Sequence, residues 1–157
     1  MPQAIARLLP RKTSQNGAID PRMRHMVENV LMNSPVARGL GIRLEVIEPE
    51  HVELVLPFLT TNVTHGSIVH GGVIATLIDI AGAAAAASGA NGDEVRGGAT
   101  SSLTVQYLAP AQAATLRAVA TVVRRGRRQV VSDIAVYAEA PDEGVLVAKA
   151  LMSSAMF

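Results

Sequence analysis

The sequence predicts an α+β protein: an antiparallel sheet of about five to six strands with one long helix too apolar to have a wet face, and an extra N-terminal helix. Three observations carry this. Two stretches have helical spacing of apolar residues, six stretches alternate apolar with polar residues, and turn-forming residues separate most of them. A chain of 157 residues normally makes one domain and is long enough to bury a core. Its 49% hydrophobic content excludes a wholly disordered polypeptide, and its 17% charged content lies below the ~25% of an average soluble protein. So few charges point to surface that is covered, as against another subunit.

Residues 1–19 mix charge, Gln, Asn and Gly without periodicity and are expected to form a flexible arm, with residues 20–157 as a single domain. Asp20 can cap a helix, Pro21 suits its first turn, and Met23, Met26, Val27, Val30 and Leu31 fall on one face until Asn33-Ser34-Pro35. Ile42, Leu44 and Val46, then Val52, Leu54 and Leu56, alternate about Glu48-Pro49-Glu50 and predict a hairpin. A polar loop, Thr60 to Val69, leads to a helix over Gly71–Ala87. Strands are predicted at Ala99–Leu108, Thr115–Arg125, Gln129–Glu139 and Val145–Met156, with turns at Ala109-Pro110-Ala111, Gly126 and Pro141–Gly144.

The Gly71–Ala87 stretch falls short of the ~20 residues of a membrane span, and Asp79 near its middle would cost roughly 2.5–3.5 kcal/mol in a bilayer. Met1 to Pro10 lacks the apolar run of a secretory signal, so a cytoplasmic protein without membrane contact is expected. The absence of cysteine removes disulfides, zinc thiolates, iron–sulfur clusters and cysteine nucleophiles. None of the four histidines has a partner at ligand spacing, so no metal is expected. A net charge of +1 gives no global case for nucleic acid.

Ala83 to Ala87 give the long helix high propensity and little bulk, which lets it approach a sheet or another backbone closely. Asp79 lies among Leu77, Ile78 and Ile80, in a helix without Lys or Arg. An unpaired carboxylate there is expensive, so it either has a polar partner or serves as a base or nucleophile. His70-Gly71-Gly72 precedes the helix. The first amides of a helix have no acceptor of their own, and with the helix dipole they make a donor site for a developing oxyanion. Gly71 and Asp79 are eight residues apart, ~12 Å along a helix axis, whereas reacting atoms must lie ~3–3.5 Å apart. If both serve one reaction they come from two chains, with the helices antiparallel.

The run from His70-Gly71-Gly72 through Asp79, followed by Thr100-Ser101-Ser102-Leu103-Thr104-Val105-Gln106-Tyr107-Leu108-Ala109-Pro110, resembles the hotdog-fold acyl-CoA thioesterases of the phenylacetic-acid-degradation (PaaI-like) family. Arg124–Arg128 and Val147-Ala148-Lys149-Ala150 are similar to the family's later strands, and the likeness extends from about Val36 to the C-terminus. It implies a sheet wrapped around the helix, homodimers with two interface sites, and often a dimer of dimers. It also implies hydrolysis of an acyl-CoA, with coenzyme A as part of the substrate and no separate cofactor. By the same resemblance the Gly71 amide polarises the thioester carbonyl, and Asp79 of the other chain is general base or nucleophile. Thr100 then positions water or the carboxylate, while His70 and Gly72 shape the loop.

The likeness departs upstream. The family's Asn six residues before the histidine, and its Gly three before, are Thr64 and Ser67 here, while Asn62 and His65-Gly66 are displaced. Either an insertion of one or two residues restores Asn62 or His65 to the pocket, or that contribution is missing. Arg124-Arg125-Gly126-Arg127-Arg128 holds four of the fourteen cations. It is either a solvated hairpin end or a clamp for the phosphates of coenzyme A, with Arg127 and Arg128 favoured and Arg125 beside them. Two other functions compete. A non-catalytic acyl-CoA-binding domain gains nothing from an acid aimed at the thioester, and a hotdog hydratase or dehydratase needs a histidine that Gly71–Asn91 lacks.

Overall fold

The computed structural model describes residues 17–139 and 144–157. The arm up to residue 16, and the turn residues Pro141-Asp142-Glu143, lie outside the described residues. Asp20 caps helix α1 (Pro21–His25), accepting from the amides of Arg22 at 2.8 Å and Met23 at 3.4 Å, with Pro21 in the first turn. The predicted continuous helix does not stay α-helical. It widens into a π-helical segment over Met26–Leu31, where the Met32 amide bonds the Val27 carbonyl five residues back. Ser34 and Pro35 also start a helix that the sequence reading lacks: α2 (Pro35–Leu40), capped by the Ser34 hydroxyl and closed by Gly41 in the left-handed region. Six residues are too few to show a helical period, so only its caps could have signalled it.

Strands β1 (Arg43–Glu48) and β2 (His51–Leu56) form the predicted hairpin, with Glu50 at φ 65 in the turn. The polar loop holds a turn of 3-10 helix at Thr60–Asn62 and a small hairpin of β3 (Val63–His65) and β4 (Ile68–Val69). Helix α3 spans Gly71–Ser88. Four strands follow: β5 (Gly98–Tyr107), β6 (Leu116–Arg125), β7 (Gln129–Ala138) and β8 (Val145–Met156).

Six strands make one antiparallel sheet in the order β1-β2-β6-β7-β8-β5, and α3 packs across its inner face. Leu77, Ile78, Ala81, Ala84 and Ala85 of the helix are fully buried against Leu54, Ala118, Ala120 and Ile134 of the strands. Small residues set the distance between the layers. A Cβ on Gly82 would lie 2.4 Å from the Met152 sulfur, so the glycine is what lets helix and sheet meet there. Among the described residues α3 is the one helix long and apolar enough to cross a bilayer, and it is this domain's core instead.

The two sheet edges differ. Edge β1 carries Arg43, Glu45 and Glu48 in six residues, a charged rim that discourages further pairing. Edge β5 has ten residues, is exposed along most of its length, and contains neither a charge nor a proline.

Candidate active site

Two clusters lie at opposite ends of the stretch where β5 runs beside α3. The first is at the helix start. His70 is the N-cap of α3, its Nδ1 accepting the Gly72 amide at 2.8 Å, so this nitrogen is unprotonated. Gly72 is tied to that cap, because a Cβ on it would lie 3.0 Å from the imidazole. Gly71 is under no such constraint within the chain. The nearest atoms to a Cβ there would be those of the Tyr107 side chain, at the ordinary distance of 3.5 Å. The Gly71 amide has no acceptor among the described residues, and the Gly71 carbonyl accepts from the Tyr107 hydroxyl at 2.8 Å. A bare amide on a glycine at the positive end of an 18-residue helix is a ready donor for an oxyanion.

Asn62 belongs to this cluster. The β3–β4 hairpin has an irregular register between Val63 and His65 and turns at Gly66, φ 56, so the intervening residues loop out. The chain returns with the His70 amide bonded to the Asn62 carbonyl at 2.8 Å. Asn62 is thereby buried beside the helix start, 5% exposed, and its side-chain Nδ2 has no partner among the described residues. His65 lies exposed on the hairpin and makes no hydrogen bond with this cluster.

The second cluster is formed by Asp79 and Thr100. Thr100 Oγ1 donates to Asp79 Oδ1 at 2.6 Å, a short charge-assisted bond that leaves Oδ2 available. A bulge aims the threonine. Register slips between Thr100 and Ser102 in the β5–β8 pairing, with Ser101 bonded to the Ser153 carbonyl instead. The extra residue turns Thr100 to the same face as Leu103, Val105 and Tyr107; strict alternation would have sent it outward. Asp79 is half-buried, not enclosed as its neighbours in sequence suggested. It stands with Thr100 at the mouth of a cavity of about 270 Å³ that runs along α3 past Ala83 and Ala87 beneath Met23 and Met26.

Of the basic hairpin, Arg125 is engaged within the chain. Its guanidinium bonds Glu50 Oε1 at 2.8 Å and the Ala86 carbonyl at 2.7 Å, tying β6 to the end of α3. Arg127 and Arg128 are exposed in the β6–β7 turn and make no ion pair among the described residues. No group of three or more His, Asp or Glu residues placed to hold a metal occurs among the described residues.

The thioesterase superfamily model matches residues 66–145, a span that contains both the helix start and the Asp79–Thr100 pair. The chain belongs to the thioesterase superfamily. A provisionally named esterase of Saccharolobus solfataricus is 30% identical over 71% of this chain and 72% of its own. A thioesterase family protein from Silicibacter pomeroyi has the same fold, with a TM-score of 0.80 and 26% identity over 86% of this chain and 98% of that one. The Escherichia coli PaaI protein of the phenylacetic acid degradation operon aligns with a TM-score of 0.77 and 21% identity, covering 89% and 96%. A hypothetical thioesterase of Streptococcus pneumoniae, solved with coenzyme A, aligns with a TM-score of 0.65 and 21% identity, covering 74% and 85%. The predicted hotdog architecture therefore holds, its six-stranded sheet and long apolar helix included, and the Escherichia coli PaaI protein shares that fold.

Proposed function

We propose that this protein hydrolyses acyl-CoA thioesters at sites shared between two copies of the chain. The carrying observation is the 2.6 Å Thr100–Asp79 bond at the mouth of an apolar cavity, on the same helix as the bare Gly71 amide but about 12 Å further along its axis. One chain cannot bring both groups to one carbonyl. Pairing β5 with β5 of a second copy in antiparallel sense can, because β5 is bonded to α3 at both ends, Thr100 to Asp79 and Tyr107 to Gly71. The donor end of each chain then meets the acid end of the other. The lack of charge on β5 supports this pairing, and the charged β1 edge disfavours the alternative.

In this site the thioester oxygen accepts from the Gly71 amide, with Asn62 Nδ2 alongside. Asp79 Oδ2 of the other copy takes a proton from water as the water oxygen bonds to the carbonyl carbon. Collapse of the tetrahedral intermediate breaks the carbon–sulfur bond. The electron pair leaves on the thiolate, which takes up a proton, and the products are the free acid and coenzyme A. Thr100 holds Oδ1, so that Oδ2 faces the water. Arg127 and Arg128 bind phosphates of the nucleotide half. The coenzyme A in the pneumococcal neighbour supports that choice of carrier. A thiol-reactive dye assay over short, medium, long and aromatic acyl-CoAs tests the reading. Turnover that falls by about a hundredfold or more in Asp79→Asn supports it, and full activity in Asp79→Ala overturns it.

A further inference from the structure

From Ile80 to Ser88 of α3, Ala83 and Ala87 are the residues left partly accessible, and the others are buried. They follow Asp79 at intervals of four residues, so the three share one face of the helix. That face is the floor of the cavity at whose mouth Asp79 and Thr100 stand. Met23, Met26 and Val30 form its roof, the last two in the π-helical segment. Among the described residues Asp79 is the one charged group on the lining, and no aromatic ring stands on it. Ser154 borders the space too, but its hydroxyl oxygen is buried in the surrounding protein. Past the acid and its threonine, the side chains therefore offer only carbon and methionine sulfur.

Two measures of the space agree. Asp79 and Ala87 are eight residues apart, ~12 Å along the helix axis. An extended chain advances ~3.3–3.6 Å for every three bonds, so that length holds about ten of them. The volume of about 270 Å³ is room for roughly nine small groups at ~30 Å³ each. An acyl-CoA has two arms that could enter here, and their chemistry separates them. The pantetheine arm carries amides, which are costly to bury without partners. An alkyl chain needs none, and it gains about fourfold in binding for each methylene taken out of water. Methionine walls adapt to such a flexible chain.

We propose that this cavity takes an unbranched aliphatic acyl chain of about eight to ten carbons, and that Ala83, Ala87 and Met26 set that length. The assignment rests on the thioesterase reading, with the scissile carbonyl beside Asp79. Ala83 stands ~6 Å past the acid along the helix and Ala87 ~12 Å, so a larger side chain at each stops the substrate at a different depth. Met26 acts from the opposite wall, where a smaller side chain lengthens the space.

The test compares kcat/KM for butyryl-, hexanoyl-, octanoyl-, decanoyl-, dodecanoyl- and phenylacetyl-CoA in the wild type, Ala83→Leu, Ala87→Leu and Met26→Ala. The wild type is expected to rise by about tenfold or more from butyryl-CoA to an optimum at octanoyl- or decanoyl-CoA. Ala87→Leu should move the optimum down to hexanoyl-CoA, Ala83→Leu further down to butyryl-CoA, and Met26→Ala up to dodecanoyl-CoA. Should Ala83→Leu fail to fold, the other two variants still move the optimum in opposite directions. A wild-type profile that is flat or led by phenylacetyl-CoA, or an optimum that stays in place in the variants, overturns the assignment. So do leucine variants that slow every ester by one factor, as a pantetheine arm in the cavity would require. Those results sink only this inference, whereas no hydrolysis of any ester by the wild type sinks the thioesterase reading with it.

Discussion

Thr100 and Asp79 show how one hydrogen bond specifies a site. The threonine fixes one carboxylate oxygen at 2.6 Å and so decides where the other one faces. Asp79→Asn is expected to lower kcat by about 10²–10⁴-fold, the range of a general base, while titration calorimetry still detects acyl-CoA binding. Thr100→Val should lower kcat by about tenfold or more with little change in KM, and Thr100→Ser should recover most of it; equal rates in all three proteins would remove the positioning role. The unpartnered hydroxyls lead to a stability expectation. Ser132→Ala and Ser154→Ala should each raise the thermal midpoint, since each removes a buried group left unsatisfied at about 1–3 kcal/mol. At this scale spacing and chemistry single out Gly71 and Asp79 as candidates, and the structure gives the first a bare amide and the second a threonine partner. Asn62 was not placed, because the hairpin that brings it to His70 is too short and irregular to show in a pattern. Ser132 and Ser154 read in the sequence only as strand residues, since a sequence does not say which hydroxyls lack partners.

Helices and strands were read largely within their limits, and the exceptions have physical causes. The α-helical period predicted Met23 to Leu31 as one helix, yet a π-helical segment lies over the cavity, where Met26 and Val30 line its wall. The bulge at Ser101 is equally invisible in an alternation of Thr and Ser, which are polar on either face. Helix α1 is held to the loop before β5 by Asp20, whose carboxylate also accepts the Gly92 amide at 3.1 Å. The Arg22 amide is the main reason that this carboxyl is held below its ordinary value of 3.8, aided by the amides of Gly92 and Met23. Since the folded value is the lower one, the contribution is present above the unfolded value and fades as pH falls through the folded one. Thermal melts below pH 4 should therefore show a steeper acid loss for the wild type than for Asp20→Asn.

Across the whole molecule, the low charge count and the bare β5 edge are the same observation at two resolutions. The sequence pointed to covered surface without saying where, and the sheet order places a ten-residue uncharged strand at one rim. The pairing proposed along that rim would explain why the donor end and the acid end of one chain lie apart. The most direct test of a site shared between copies is complementation between two inactive variants. Gly71→Pro removes the donor amide at a first-turn position where proline is well tolerated, after a residue already at φ −62 and ψ 133. Asp79→Asn removes the acid. Each alone should be inactive, but unfolding and refolding them together in equal amounts should restore about a quarter of wild-type activity, one intact site in the half of the dimers that are mixed. A mixture that stays as inactive as its components would contradict the account.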